Sequence, residues 1–152
     1  MPTPKLALVV EDDPMIYPLI KAMFNKLNPQ TTLEFADSAE KAAELLLGPS
    51  AKKYDVILSD LQLAGQKSGV DLVKEVYFKT GRTPFVLTTG KEDYNTHLPF
   101  LKKPLRYEDF AERIGPFLTG DAAAPKKSGG KLPLLIAGLV ILAAAAYFFA
   151  SR

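Results

Sequence analysis

The hydrophobic pattern of the first 120 residues alternates between two kinds of segment. Short apolar runs with the length of buried strands cover residues 6–10, 32–35, 54–59, 83–88 and 98–101. Between them, apolar side chains recur at helical spacing over residues 14–27, 38–47, 69–79 and 105–118. Strands alternating with helices predict an α/β domain with a parallel five-stranded sheet covered on both faces. Right-handed crossovers then bring the carboxyl ends of the strands to one edge.

The C-terminal part of the chain has a different pattern. Residues 120–131 are small, polar and rich in glycine and lysine, which predicts a flexible linker after a domain of residues 1–119. Residues 132–150 are nineteen residues without a charge. As a helix they would span about 28 Å, close to the ~30 Å of a bilayer core. They are predicted to form one transmembrane helix; the alternative, a buried core helix, is weaker because the segment is apolar on all sides.

The charges that flank this segment predict its orientation. Lys126, Lys127 and Lys131 precede it, and only Arg152 follows it. The positive-inside rule then places the preceding domain in the cytoplasm, with the chain inserted as a single-pass tail anchor. The small residues 143–146 permit contact between helices, but no GxxxG motif occurs, so homo-oligomerisation through this helix stays open.

Composition excludes several classes of site. The chain has no cysteine and one histidine, which excludes disulfides, thiolate metal sites and multi-histidine metal centres. The single histidine, His97, is predicted to be a surface loop residue. The net charge is +2, yet residues 1–120 hold 15 basic and 16 acidic residues. No basic stripe crosses the folded part, so a nucleic-acid surface is not indicated.

Candidate chemistry lies at the predicted strand ends. Glu11, Asp12 and Asp13 follow the first strand, Asp60 ends the third, and Lys103 follows the fifth. Carboxylates held close together repel, and a hard cation such as Mg²⁺ relieves this because it prefers oxygen ligands. A carboxylate beside such an ion can accept a phosphoryl group, whose other oxygens a lysine and a hydroxyl can bind.

Four segments together resemble a known family. Residues 9–14, 57–63, 86–90 and 101–104 are similar, in order and spacing, to the signature segments of response-regulator receiver domains. The resemblance spans residues 5 to about 118. It implies a flavodoxin-like doubly wound fold and a signalling domain that is not an enzyme in the ordinary sense. It also implies that a histidine kinase or phosphotransfer protein donates the phosphoryl group.

The resemblance implies a role for each matching residue. Asp60 would be the phosphoacceptor, Asp12 the direct Mg²⁺ ligand, and Glu11 a ligand acting mainly through water. Gln62 would offer its backbone carbonyl to the metal. The residues that would contact or sense the phosphoryl group are Thr89, with Thr88 as the alternative hydroxyl, Lys103, and Phe100 at the aromatic switch position.

The sequence departs from the family pattern in three places. Ala64 stands where the family usually has proline, and the loop 63–69 is one residue longer than the commonest form. Only thirteen residues separate Thr89 from Lys103, and residues 90–97 lack a helical period. The family's fourth helix is therefore predicted to be shortened or absent, which puts the usual output face in doubt.

Acids at strand ends also occur in proteins without phosphorylation. Acids after a strand often cap the next helix, which is the role predicted for Asp13.

A phosphohydrolase usually has a second acid just after its nucleophile, whereas Leu61, Gln62 and Leu63 follow Asp60. The favoured function is a membrane-tethered phosphorelay receiver with no separate output domain. The alternative is a membrane-anchored adaptor on a receiver fold, without phosphorylation.

Overall fold

The parallel sheet is the centre of the fold. The structure is a computed structural model that describes residues 4–82, 84–91 and 98–120. Its strands are β1 Lys5–Val10, β2 Thr31–Ala36, β3 Val56–Asp60, β4 Phe85–Thr89 and β5 Phe100–Lys102. All pair in parallel in the order β2-β1-β3-β4-β5. This confirms the predicted doubly wound sheet.

Three α-helices connect strands in the described residues, and a fourth follows β5. They are α1 Tyr17–Leu27, α2 Ala39–Leu47, α3 Gly69–Thr80 and α4 Tyr107–Thr119. A short 3-10 turn, Pro14–Ile16, precedes α1, and the Asp13 side chain caps it by accepting from the backbone N–H of Met15. The predicted capping role of Asp13 is therefore confirmed. Ser38 caps α2, and Ser68 with Asp71 forms a capping box at α3.

The core has two layers because both faces of the sheet are covered. Leu8, Ile57 and Leu87 pack with α2 and α3 on one face. On the other face Val9 and Val86 pack with α1 and α4. Every residue of β3 and β4 is buried, which explains why these strands have continuous apolar sequences instead of alternating ones.

The connection between β4 and β5 is short. β4 ends at Thr89 and β5 begins at Phe100, and the described residues between them (90, 91, 98 and 99) belong to no helix. Residues 92–97, including His97, lie outside the described residues. Within that limit, five strands with four helices agree with the prediction that the family's full fourth helix is missing here.

The predicted linker and apolar segment fall beyond Gly120, outside the described residues. Within residues 4–82, 84–91 and 98–120, the structure contains no helix with the length and hydrophobicity that a membrane crossing requires. The predicted transmembrane helix therefore stays a prediction.

Candidate functional site

The topology brings the predicted site residues to one edge. Glu11 directly follows β1, Asp60 is the last residue of β3, and Lys103 directly follows β5. Asp60 pairs with Thr88 across β3 and β4, and Thr89 pairs with Lys102 across β4 and β5. Because these strands are parallel, their carboxyl ends form a single edge, here called the carboxyl edge.

Three carboxylates converge at the carboxyl edge. Glu11, Asp12 and Asp60 each offer one oxygen, and these oxygens lie within 4.8 Å of one another. Glu11 is 3% exposed and Asp60 9% exposed, whereas Asp12 is open to solvent. An all-oxygen set with one solvent-facing member fits Mg²⁺, which keeps several waters when bound.

Lys103 links two of these carboxylates. Its Nζ donates hydrogen bonds to Asp60 Oδ2 at 2.7 Å and to Glu11 Oε2 at 3.0 Å. Its backbone N–H donates to the carbonyl of Thr89 at 2.8 Å, which ties the end of β5 to β4. Burial alone would lower the pKa of Lys103, but its hydrogen bonds to Asp60 and Glu11 outweigh burial and raise the pKa. The ammonium therefore stays charged beside the predicted acceptor.

Glu11 is held in place from several sides. Its Oε1 accepts from the backbone N–H of Asp13 at 3.1 Å, and its carbonyl accepts from the hydroxyl of Tyr17 at 2.7 Å. Burial raises the pKa of Glu11, although the hydrogen bonds from Lys103 and Asp13 partly oppose this. Burial therefore disfavours the ionised carboxylate of Glu11, and a bound cation would stabilise it.

The loop after β3 supplies backbone donors to the acids. The N–H of Gln62 donates to Asp60 Oδ1 at 3.1 Å, and the N–H of Ala64 donates to Asp12 Oδ2 at 3.1 Å. A proline at position 64 would have no N–H to give. The departure from the family pattern at Ala64 therefore coincides with a hydrogen bond to the predicted metal ligand, a role that sequence reasoning missed.

Gly69 is the second residue that sequence reasoning missed. A Cβ at this position would lie 2.2 Å from the carbonyl oxygen of Asp60, so no larger residue fits without a shift of the backbone. The N–H of Gly69 also donates to the carbonyl of Leu61 at 3.0 Å. The first turn of α3 therefore packs directly against the backbone of the predicted acceptor. A glycine that opens a helix just after the acceptor loop was the available signal.

The two threonines at the end of β4 have different surroundings, although each is 2% exposed. The hydroxyl of Thr89 accepts from the backbone N–H of Lys91 at 3.1 Å. The hydroxyl of Thr88, which pairs in register with Asp60, is buried and has no hydrogen-bond partner in the part of the chain described. Both reach the carboxyl edge, so the choice of switch hydroxyl between them stays a prediction.

Phe100 begins β5 and pairs in register with Leu87. It is half-buried and packs against the core layer under α2 and α3. The structure therefore places the predicted switch residue in the sheet beside the site, and its signalling role stays a prediction.

The sequence matches the family model of the response regulator receiver domain over residues 7–113. The chain belongs to this family. Its sequence matches no curated protein. In this receiver domain the acidic cluster, Lys103 and the two threonines lie together at the carboxyl edge.

Solved structures share the fold of this receiver domain. One is a response regulator receiver domain protein from Clostridium thermocellum, with 19% identity and a TM-score of 0.65, covering 77% of this chain and 96% of that chain. Another is the receiver domain of a sensor histidine kinase from Pseudomonas aeruginosa, with 21% identity and a TM-score of 0.64, covering 78% and 99%. That protein was crystallised with a magnesium ion coordinated in its active-site cleft. A third is the receiver domain of an HD domain-containing protein from Pseudomonas fluorescens, with 21% identity and a TM-score of 0.66, covering 80% and 100%.

Proposed function

We propose that this receiver domain accepts a phosphoryl group on Asp60 from a histidine kinase or a histidine phosphotransfer protein. The observation that carries the proposal is the arrangement around Asp60. Its carboxylate lies beside those of Glu11 and Asp12, within 4.8 Å, and accepts a 2.7 Å hydrogen bond from Lys103. Aspartyl phosphorylation requires a nucleophilic carboxylate, further acidic groups that bind a cation, and an ammonium held close to the acceptor.

Each residue has a defined part in the proposed transfer. An Asp60 oxygen bonds to the phosphorus of a phosphohistidine while the P–N bond breaks, and its electron pair returns to the imidazole. Lys103 Nζ, which donates to Asp60 Oδ2, would bind a phosphoryl oxygen, and the hydroxyl of Thr89, or of Thr88 as the alternative, would bind another. Glu11, Asp12, Asp60 and the backbone carbonyl of Gln62 would hold Mg²⁺, which neutralises charge on the phosphoryl group when bound.

Phosphorylation by a small donor tests the acceptor. Incubating the protein with acetyl phosphate and Mg²⁺ should add one phosphate, as read by intact mass. Asp60→Asn should abolish the addition because the amide oxygen is a poor nucleophile. Asp13→Asn is the matched control, because Asp13 follows the same strand as Glu11 and Asp12 but caps the 3-10 turn. Undiminished phosphorylation of Asp60→Asn would rule out Asp60 as the acceptor.

A metal titration separates the receiver from a non-phosphorylated adaptor. Mg²⁺ should shift the amide resonances of Gln62 and Ala64, since both N–H groups bond to carboxylates of the cluster. Asp12→Asn should weaken this response, and Asp13→Asn should preserve it. No response to millimolar Mg²⁺ in the wild type, together with no phosphorylation, would favour the adaptor.

We propose further that residues 132–150 anchor the protein in a membrane with the receiver domain in the cytoplasm. The support is the nineteen-residue uncharged segment and the lysines that precede it. The five-stranded sheet also has both faces covered by helices within the described residues, so its core does not need a further apolar helix.

A further inference from the structure

The edge of the sheet opposite the phosphorylation site carries exposed basic residues. This amino edge, where the strands begin, includes Lys52, Lys53, Lys79 and Arg82, all exposed. Lys52 forms an ion pair with Glu34, and Lys79 forms one with Glu75, with Nζ 3.3 Å from Oε1. Within the described ranges, the side chains of Lys53 and Arg82 make no ion pair or hydrogen bond. Two positive charges at this edge are therefore uncompensated.

An exposed aromatic pair adjoins these charges. Tyr77 and Phe78, in the last turn of α3, are 36% and 50% exposed, and their ring centroids lie 6.2 Å apart. An open groove of about 250 Å³ at this edge is lined by residues that include Lys53, Thr80 and Arg82. Aromatic rings flanked by basic side chains are the chemistry found where proteins meet the headgroup region of a membrane.

The chain also leaves the described domain at this edge. α4 begins after the carboxyl end of β5 and runs back along the sheet for 13 residues, about 20 Å. It ends at Thr119, and its last buried side chain, Leu118, belongs to the core layer that the sheet shares with α1. Gly120 therefore lies at the amino edge, and the sequence places three lysines between it and residue 132.

We propose that the amino edge, centred on Lys53, Tyr77, Phe78 and Arg82, docks on a bilayer surface that contains anionic phospholipids. This inference rests on the membrane tether proposed above. Cytoplasmic leaflets attract basic residues, and the attraction of each is equivalent to about fivefold in binding. Docking in this orientation points the carboxyl edge, with Asp60, away from the bilayer and toward a phosphodonor protein. The charge pattern favours lipid over an acidic protein because the free cations lie at the edge where the chain continues toward the apolar segment.

Site-specific fluorescence in nanodiscs tests the docking with the full chain. The sequence has no cysteine, so a single fluorophore can be placed by Ala51→Cys, which is exposed and lines the groove at the amino edge. Met15→Cys places the control fluorophore near the carboxyl edge, at a side chain that is 83% exposed. Nitroxide headgroup lipids report proximity in discs of phosphatidylcholine alone or mixed with phosphatidylglycerol.

The expected result is strong quenching at position 51 in phosphatidylglycerol discs, weak quenching in neutral discs, and none above background at position 15. Lys53→Gln with Arg82→Gln should lower the ratio of docked to undocked protein about 25-fold, fivefold for each charge. Lys21→Gln with Lys91→Gln is the matched control, because it removes two exposed charges that lie away from the amino edge, in α1 and just after the carboxyl end of β4. This control should leave quenching unchanged, and high salt should reduce it in the wild type.

Four results would overturn the docking. Equal quenching at position 51 in both lipids would show that proximity comes from the tether alone. Equal quenching at positions 51 and 15 would show no fixed orientation. If the fluorophore at position 51 is shielded from a water-soluble quencher in detergent without lipid, the surface binds a second copy of the chain. Failure of the full chain to remain with the nanodiscs would instead refute the tether, and the docking with it. Phosphorylation of Asp60 is measured separately.

Discussion

At the scale of single residues, two glutamates in this receiver domain respond to their surroundings in opposite ways. Burial raises the pKa of Glu11, and its hydrogen bonds from Lys103 and Asp13 only partly oppose this. Hydrogen bonds from Lys52 and Tyr54 lower the pKa of Glu34, because they stabilise its charged form more than its modest burial opposes it. The first glutamate belongs to the candidate metal site and the second to a structural ion pair. The contributions of the two glutamates to the free energy of unfolding should therefore change with pH in opposite directions.

Glu34→Gln should destabilise the protein at neutral pH. The ionised Glu34 accepts from both Tyr54 and Lys52, and a hydrogen bond to a charged group contributes about 1.5–3 kcal/mol. Because the folded pKa lies below the ordinary value of 4.5, this stabilisation is complete above pH 4.5 and is lost as the pH falls through the folded pKa. Urea unfolding from neutral to acidic pH should show that the difference in unfolding free energy between wild type and variant disappears as the pH falls. A difference that is constant with pH would contradict the role of the charge.

Glu11→Gln should have the opposite effect in the absence of metal. The folded pKa of Glu11 lies above 4.5, so ionised Glu11 weakens the fold once the pH exceeds its folded pKa. The variant should therefore unfold at higher urea than wild type at neutral pH, and this advantage should vanish below pH 4.5. At ten times its Kd, Mg²⁺ should stabilise wild type by about 1.4 kcal/mol and the variant less. Equal effects of Mg²⁺ on both proteins would exclude Glu11 from the metal site.

At the scale of elements, the start of α3 and the end of β3 are in direct contact. Gly69 packs on the carbonyl of Asp60, and the Ser68 capping box fixes the first turn of the helix. The backbone of Asp60 is therefore in contact with α3, and its carboxylate with Lys103. A change at the start of α3 should therefore alter the position of Asp60, through the contact between Gly69 and the Asp60 carbonyl.

Gly69→Ala tests this contact. The added Cβ would lie 2.2 Å from a backbone oxygen that cannot rotate away, so we expect a loss of about 1–3 kcal/mol in the free energy of unfolding. Phosphorylation of Asp60 by acetyl phosphate should also slow. Gly90→Ala is the steric control, since its Cβ would meet nothing within 4 Å and the unfolding free energy should therefore change little. Equal losses in both variants would refute the contact.

The apolar pattern was sufficient to predict these elements but not their contacts. The continuous runs over β1 and β3 correctly predicted buried parallel strands, and the acids at their ends are the ones that the structure brings together. The predicted start of α1 at Pro14 was early by three residues, because Asp13 caps a 3-10 turn before the helix begins. Gly69 and Ala64 were missed because their roles depend on distances to Asp60 and Asp12. Such distances arise only when the loop folds over the strand ends.

At the scale of the whole molecule, the acidic cluster and the exposed basic residues lie at opposite edges of one sheet. The carboxyl edge holds the acidic cluster with Lys103, and the amino edge holds free basic residues and the point where α4 ends. Under the proposed function, this separation would let a phosphodonor reach Asp60 while the amino edge contacts a membrane. Because helices cover both faces of the sheet within the described residues, we predict that the receiver domain folds without the segment beyond Gly120.

Truncation after Gly120 tests that independence. The described residues already cover both faces of the five-stranded sheet, so residues 1–120 should fold, unfold at the same urea concentration as the full chain, and be phosphorylated on Asp60. The full chain should remain in the membrane pellet after alkaline extraction, and the truncated chain should appear in the supernatant, because only residues 132–150 are long and apolar enough to hold it there. Replacing Leu139 and Val140 with arginines in the full chain should also release it, since a charge at the centre of a span costs about 2.5–3.5 kcal/mol. If the truncated chain is instead unfolded or aggregates, residues 132–150 belong to the core as a buried helix. In that case the membrane tether is wrong.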